Sequence, residues 1–164
     1  MAVAGSLSFA LALNETSAND LGTATMPHAL AAAYAVTSGT TDNKMDLIYS
    51  DNNSLVATTV NIDVRGALSA ALGGTSISMV EVRLIIIKNK GTTVLTLGNG
   101  TNPAWAGLFG GTAHTLSIPP GLFVWYCTTD GIGLQTTAAT ADILKLDSGA
   151  STVEYDIVIG GVSA

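Results

Sequence analysis

Residues 116–127 read LSIPPGLFVWYC. Apolar and polar residues alternate up to Ile118: His114, Leu116 and Ile118 on one parity, Thr115 and Ser117 between them. A period of two belongs to a strand with one buried face. Pro120-Gly121 suits the two central positions of a type II turn, the proline fixing φ and the glycine accepting a positive one. Leu122 to Cys127 then returns as a strand that is apolar on both faces. The stretch predicts a β-hairpin built to bury a large aromatic, and it holds no group suited to catalysis.

The same grammar recurs on either side. Leu7, Phe9, Leu11 and Leu13 share one parity, with Ser8, Ala10 and Ala12 between, so residues 6–13 read as a first strand. Residues 45–50 are a second candidate, and in 55–64 Val60, Ile62 and Val64 fall on one face. RGALSAALGG (65–74) breaks the alternation. Leu68, Ala71 and Leu72 suit one face of a short helix, with Gly73-Gly74 as its stop. Residues 77–91 begin alternating and end Leu-Ile-Ile-Ile, the mark of a central strand covered on both sides. Asn89-Lys90-Gly91 then turns the chain into 92–98, which predicts a hairpin over 77–97. A Gly-rich loop, 98–111, carries Trp105, Leu108 and Phe109. Asp130-Gly131 marks another turn, and 141–147 with 152–161 predicts a last hairpin, in which Val153, Tyr155, Ile157 and Ile159 share a face. Residues 22–44 stay open, because the Ala and Tyr of HALAAAYAV (28–36) decide between helix and strand poorly.

Eight or nine short strands, turns every eight to twelve residues and at most one or two short helices describe an all-β, antiparallel β-sandwich. The count suits a jelly roll, two four-stranded sheets over one core. The 164 residues suffice for a single domain, 1–164, with residues 1–13 as a strand or arm that contacts neighbouring subunits.

Composition narrows the function. Apolar residues make up 48% but charged residues only 11%, which suggests a surface largely covered by partners. The 12 acids against 6 bases, with no basic run, argue against nucleic acid and against a membrane surface as partners. MAVAGSLSFALAL (1–13) lacks the positive start of a secretory signal. Cys127 is the only cysteine, so it forms no disulfide within the chain, and its neighbours Trp125 and Tyr126 suggest a buried, inert thiol.

Candidate chemistry is sparse. His28 and His114 have no ligands at metal spacing around them. Glu154 and Asp156 share a strand face and read as a solvated face before they read as an acid–base pair. SDNNS (50–54) lacks the glycine and distal glutamate of a calcium loop, and the glycines at 98 and 100 precede no helix that would cradle phosphate. Asn14-Glu-Thr16 and Asn99-Gly-Thr101 match the glycosylation pattern by chance. No catalytic residue, cofactor or metal is expected. Trp105, Leu108 and Phe109 are the set of interest. They are either the sandwich's own plug or a docking knob, and an aromatic loop of this kind also suits a sugar ring.

The C-terminal half runs Leu-x-Leu-Gly, a Gly/Asn/Pro/Trp loop, Ile-Pro-Pro-Gly, an aromatic strand, Asp-Gly-x-Gly, TAATADILKL (137–146), Ser-Gly and YDIVIGG (155–161). Over residues 84–160 this resembles the small β-sandwich virion proteins of tailed bacteriophages, among them capsid decoration or cement proteins with jelly-roll folds. The resemblance implies a non-enzymatic protein of the virion that binds the major capsid protein and copies of itself, as a dimer or trimer, and stabilises the shell. The candidate interface is then Leu7, Phe9, Leu11 and Leu13, which would add to a neighbour's sheet edge, together with Trp105, Leu108 and Phe109. A tail, neck or fibre-base protein and a carbohydrate-binding module are the rivals.

Overall fold

A computed structural model describes residues 3–19, 22–66, 68–69, 76–98, 105, 107–128 and 133–164. Its strands are β1 (Gly5–Asn19), β2 (Gly22–Val36), β3 (Leu47–Val56), β4 (Thr59–Asp63), β5 (Leu68–Ser69), β6 (Ser76–Ile77), β7 (Glu81–Asn89), β8 (Leu95–Gly98), β9 (Thr115–Ile118), β10 (Phe123–Cys127), β11 (Leu134–Gln135), β12 (Ile143–Asp147) and β13 (Thr152–Val162). Every strand pairing is antiparallel. The chain is all-β, as its periodicity predicts, and no helix occurs among the described residues.

Two sheets enclose one core. The first runs β10-β7-β13-β3, with β11 also on β7; the second runs β4-β12-β8-β9. Ile85, Ile87, Ile157 and Ile159 of the first sheet and Leu95, Leu97, Leu144 and Leu146 of the second are each no more than 1% exposed and belong to one cluster. The parity read for the last strand holds, since Val153, Tyr155, Ile157 and Ile159 all turn inward. β7 is the central strand that its Leu-Ile-Ile-Ile run predicts, with β10 on one side and β13 on the other.

The three expected hairpins are corners instead. β7 and β8, β9 and β10, and β12 and β13 each divide between the two sheets. The turn at 119–122 has the expected form: Leu122 N–H donates to Pro119 O at 3.1 Å, and Gly121 has φ +76°. What differs is where the turn sends the chain. A short strand with one apolar face satisfies that face equally by lying beside its predecessor or by folding over the core opposite it, and the closed core selects the second.

Asn89 pins two of these corners together and is fully buried. Its side-chain amide donates to Thr93 O at 2.8 Å and to Ile118 O at 2.7 Å, and its Oδ1 accepts from Gly91 N–H at 2.9 Å. Its backbone N–H donates to Leu122 O, and its carbonyl accepts from Gly121 N–H, both at 3.0 Å.

Of the segment 65–74 expected as a short helix, the described residues, 65–66 and 68–69, are not helical. Asp63 Oδ1 accepts from Arg65 N–H at 3.0 Å and Gly66 N–H at 2.5 Å, which turns the chain directly after β4. Leu68 and Ser69 then pair with Ile77 and Ser76 as β5 and β6. Local bonds of an Asp side chain to the following N–H groups compete with helix formation in this way. Ala71, Leu72, Gly73, Gly74, the segment 99–104 and the Asp130-Gly131 turn lie outside the described residues.

The N-terminal strand predicted for 6–13 is longer than that and stands outside the sandwich. β1 runs on to Asn19 and pairs residue for residue with β2, from Gly5↔Val36 to Asn19↔Gly22. The undecided segment HALAAAYAV is therefore strand, and the two strands form a sheet of their own.

Candidate functional site

Fifteen residues per strand make the β1–β2 arm about 50 Å long. Partners in an antiparallel pair project to the same side. One face of the arm therefore carries Leu7, Phe9, Leu11 and Leu13 with Tyr34, Ala32, Leu30 and His28 opposite them. The other face carries Ser8, Ala10 and Ala12 with Ala33, Ala31 and Ala29 opposite. The arm thus has a stripe of large apolar side chains and a smooth back of small ones.

The proximal part of the stripe is covered by the chain's own body. In register, Ile86 of β7 lies between Val158 and Trp125, and Leu84 between Gly160 and Cys127, on the outer face of the first sheet. Phe9 stacks on Trp125 with centroids 6.0 Å apart and planes at 23°. Leu7 lies over Ile86, and Val3, Met45, Ile48 and Leu84 line a cavity of about 160 Å³ beside it. The root of the arm is the second cover that the two-sided apolar run of β7 requires. The expected burial of the aromatic of 116–127 comes about here, against Phe9 outside the sandwich, with Trp125 half-buried.

A buried charge ties this root to the body. Arg83 is 2% exposed; its guanidinium donates to Thr41 O at 2.6 Å, Lys44 O at 2.7 Å and Thr40 O at 3.3 Å, all in the loop that follows β2. Its Nε meets Glu81 Oε1 at 2.6 Å. Glu81 also accepts from Gly133 N–H at 2.7 Å and from the Gln135 amide at 2.9 Å. Burial alone would raise the Glu81 carboxyl, but these hydrogen bonds and the Arg83 charge outweigh it and hold the group below the ordinary carboxylate value. Asp46 adds a second tie, accepting from Ser163 N–H at 2.8 Å and Ser163 Oγ at 2.5 Å.

Beyond Phe9 the stripe is uncovered. Leu11, Leu13, Met26 and Leu30 are 38, 56, 59 and 60% exposed. The predicted set Leu7, Phe9, Leu11 and Leu13 is thus brought onto one face but divided, the first two against the body and the last two in solvent. Leu30, Met26 and Tyr34 complete the stripe and were not legible in the undecided segment. The equal spacing of Leu30, Ala32 and Tyr34 to that of Leu7, Phe9 and Leu11 would have pointed to them.

The second predicted set sits elsewhere. Trp105 is 3% exposed, donates its Nε1–H to Gln135 O at 2.9 Å and its backbone N–H to Ile143 O at 2.9 Å, so it plugs the sandwich. Leu108 and Phe109 are half-buried against the same core. Trp105 accordingly has no surface to offer a partner or a sugar, which removes it from the candidate interface.

No family model, curated protein or solved structure matches the chain.

The remaining candidates have ordinary surroundings. His28 lies 3.5 Å from Glu15 on the arm, and His114 Nδ1 lies 2.8 Å from Phe109 O. Asp156 bonds Lys90 Nζ at 3.2 Å and the Asn52 amide across the outer face of the first sheet, and residues 50–54 belong to β3. Burial pushes the Cys127 thiol up, away from the reactive thiolate.

Proposed function

We propose that this chain is a non-enzymatic structural protein of a tailed-phage virion, a capsid decoration or cement protein that binds the major capsid protein on the outer shell. The observation that carries the reading is the arm, a long hairpin clamped at its root by Arg83 and presenting bare leucines beyond the body. A sandwich with such an extension is suited to gripping other polypeptides, because a docked apolar stripe gains burial with little charge to desolvate.

The strand order supports a jelly-roll reading of the sandwich. Taking β3, β4, β7, β8, β9, β10, β12 and β13 as eight successive body strands, the first sheet holds the sixth, third, eighth and first, and the second holds the second, seventh, fourth and fifth. That is the alternation two interleaved Greek keys produce, and virus shells use it widely. Stabilisation of the shell follows from mass action: a ligand that binds only the assembled lattice shifts the equilibrium toward it, and repetition over a shell adds avidity.

Quantitative mass spectrometry of particles carrying this chain tests the reading. Hundreds of copies per particle are expected for a decoration protein, whereas about a dozen would assign it to the neck, tail or fibre base. Its absence from particles would overturn the virion reading altogether, and a glycan array would then test the carbohydrate-binding alternative.

A further inference from the structure

We propose that the distal half of the arm is a self-association surface: the apolar stripe of one copy packs face to face on the same stripe of a second copy. Leu11, Leu13, Leu30 and Met26 supply the contact on each side. A two-stranded hairpin standing alone in water is marginal at best, yet β1 and β2 stay paired in register to Asn19↔Gly22, well past the last residue the body covers.

Charge selects the occupant. Among residues 5–36 only Glu15, Asp20 and His28 are titratable in the acid-to-neutral range, and Glu15 and His28 lie 3.5 Å apart on the stripe face. A basic, acidic or nucleic-acid partner would find little to pair with, so the complement is a flat, neutral, apolar β-surface. The chain's own receiving surface of that kind, around Ile86 and Trp125, is already taken by Leu7 and Phe9 of the same arm. The distal stripe of another copy is an exposed apolar face of matching shape, and it continues without a break from the contact the root makes. An isologous pairing needs one patch that complements itself, and a leucine stripe does so, with Glu15 and His28 at its outer end 3.5 Å from each other. Two such faces bury roughly 1,000 Å², at the lower bound for a specific contact.

This inference rests on the reading above, which expects contact between copies, and names the surface that makes it; because the isolated protein is tested, its failure is distinct from absence of the chain from particles. Sedimentation equilibrium of the full chain across about 1 μM to 1 mM is the test, beside the double variant Leu13→Glu, Leu30→Glu. The wild type is expected to associate with concentration, and the double variant to dissociate at least about a hundredfold more readily, with a thermal midpoint unchanged at low protein concentration. A wild type that remains monomeric throughout, or a folded double variant that associates as before, overturns the proposal. If the double variant does not fold, oxidative capture decides in a Cys127→Ser background. Leu30→Cys should yield a covalent dimer and Ala31→Cys, on the opposite face, should not. No capture at residue 30, or equal capture at both, overturns it.

Discussion

At Asn89 every polar atom is used: the side chain and backbone together make five hydrogen bonds that join the β7–β8 corner to the β9–β10 corner. Removing the amide takes the side-chain donor from the carbonyls of Thr93 and Ile118, while Gly91 N–H keeps its bond to Glu154 O at 3.1 Å. Asn89→Ala is therefore expected to lose about 2–4 kcal/mol of unfolding free energy in a urea titration. A loss under about 1 kcal/mol would show that the corners hold without it. Gly161 is a second sensitive point, for lack of space. A Cβ there would stand 2.4 Å from the carbonyl oxygen of Glu81, a backbone atom that cannot swing aside, at the site where the β13–β7 register shifts. Gly161→Ala should cost about 2–3 kcal/mol by the same measurement.

The arm behaves as two elements joined end to end. Its root covers Ile86 and Trp125, while its distal half touches chiefly itself. Ala10 and Ala31 are paired, so residues 11–30 can be replaced by Asn-Gly, the two-residue connection such a pair accepts. At low protein concentration, where association adds nothing, the trimmed chain should melt within about 3 °C of the full one by circular dichroism. A fall of more than about 10 °C would mean that the distal strands are part of the body's cooperative unit. The clamp at the root was not predictable from Arg83 and Glu81 as letters, because its acceptors are the carbonyls of Thr40, Thr41 and Lys44, about forty residues upstream.

For the whole molecule, buried ionisable groups set the pH window. Glu81 titrates below its ordinary value of 4.5 in the folded state. Its contribution to stability is complete above that value and is lost as pH falls through the lower folded one. The Tyr49 and Tyr155 hydroxyls are pushed from 10.0 up to about 12, by burial first and then by the Asp51 carboxylate. Their neutral forms belong to the fold, so stability is complete below pH 10 and declines as the pH rises toward 12. Thermal midpoints measured from pH 3 to 11 should form a plateau with both limbs. Glu81→Gln should flatten the acid limb and Tyr49→Phe the alkaline one. An acid limb unchanged in Glu81→Gln would remove the carboxylate from this role.

The sequence by itself determined most of the body strands and the turn at 119–122. Alternation marked the strands, Pro120-Gly121 the turn, and Leu84 to Ile87 a strand covered on both sides, because side-chain period and turn chemistry act within a few residues. Tertiary structure decided which strand lies beside which. The same short amphipathic strands satisfy a hairpin or a corner equally well, and only closure of a common core over Ile85, Leu97, Leu144 and Ile157 assigned β7 and β8, or β9 and β10, to opposite sheets. It also decided the fate of the Ala-rich segment 28–36. Its residues have no strong preference of their own, and they became strand because β1 offered them a register and the outer face of β7 needed a cover.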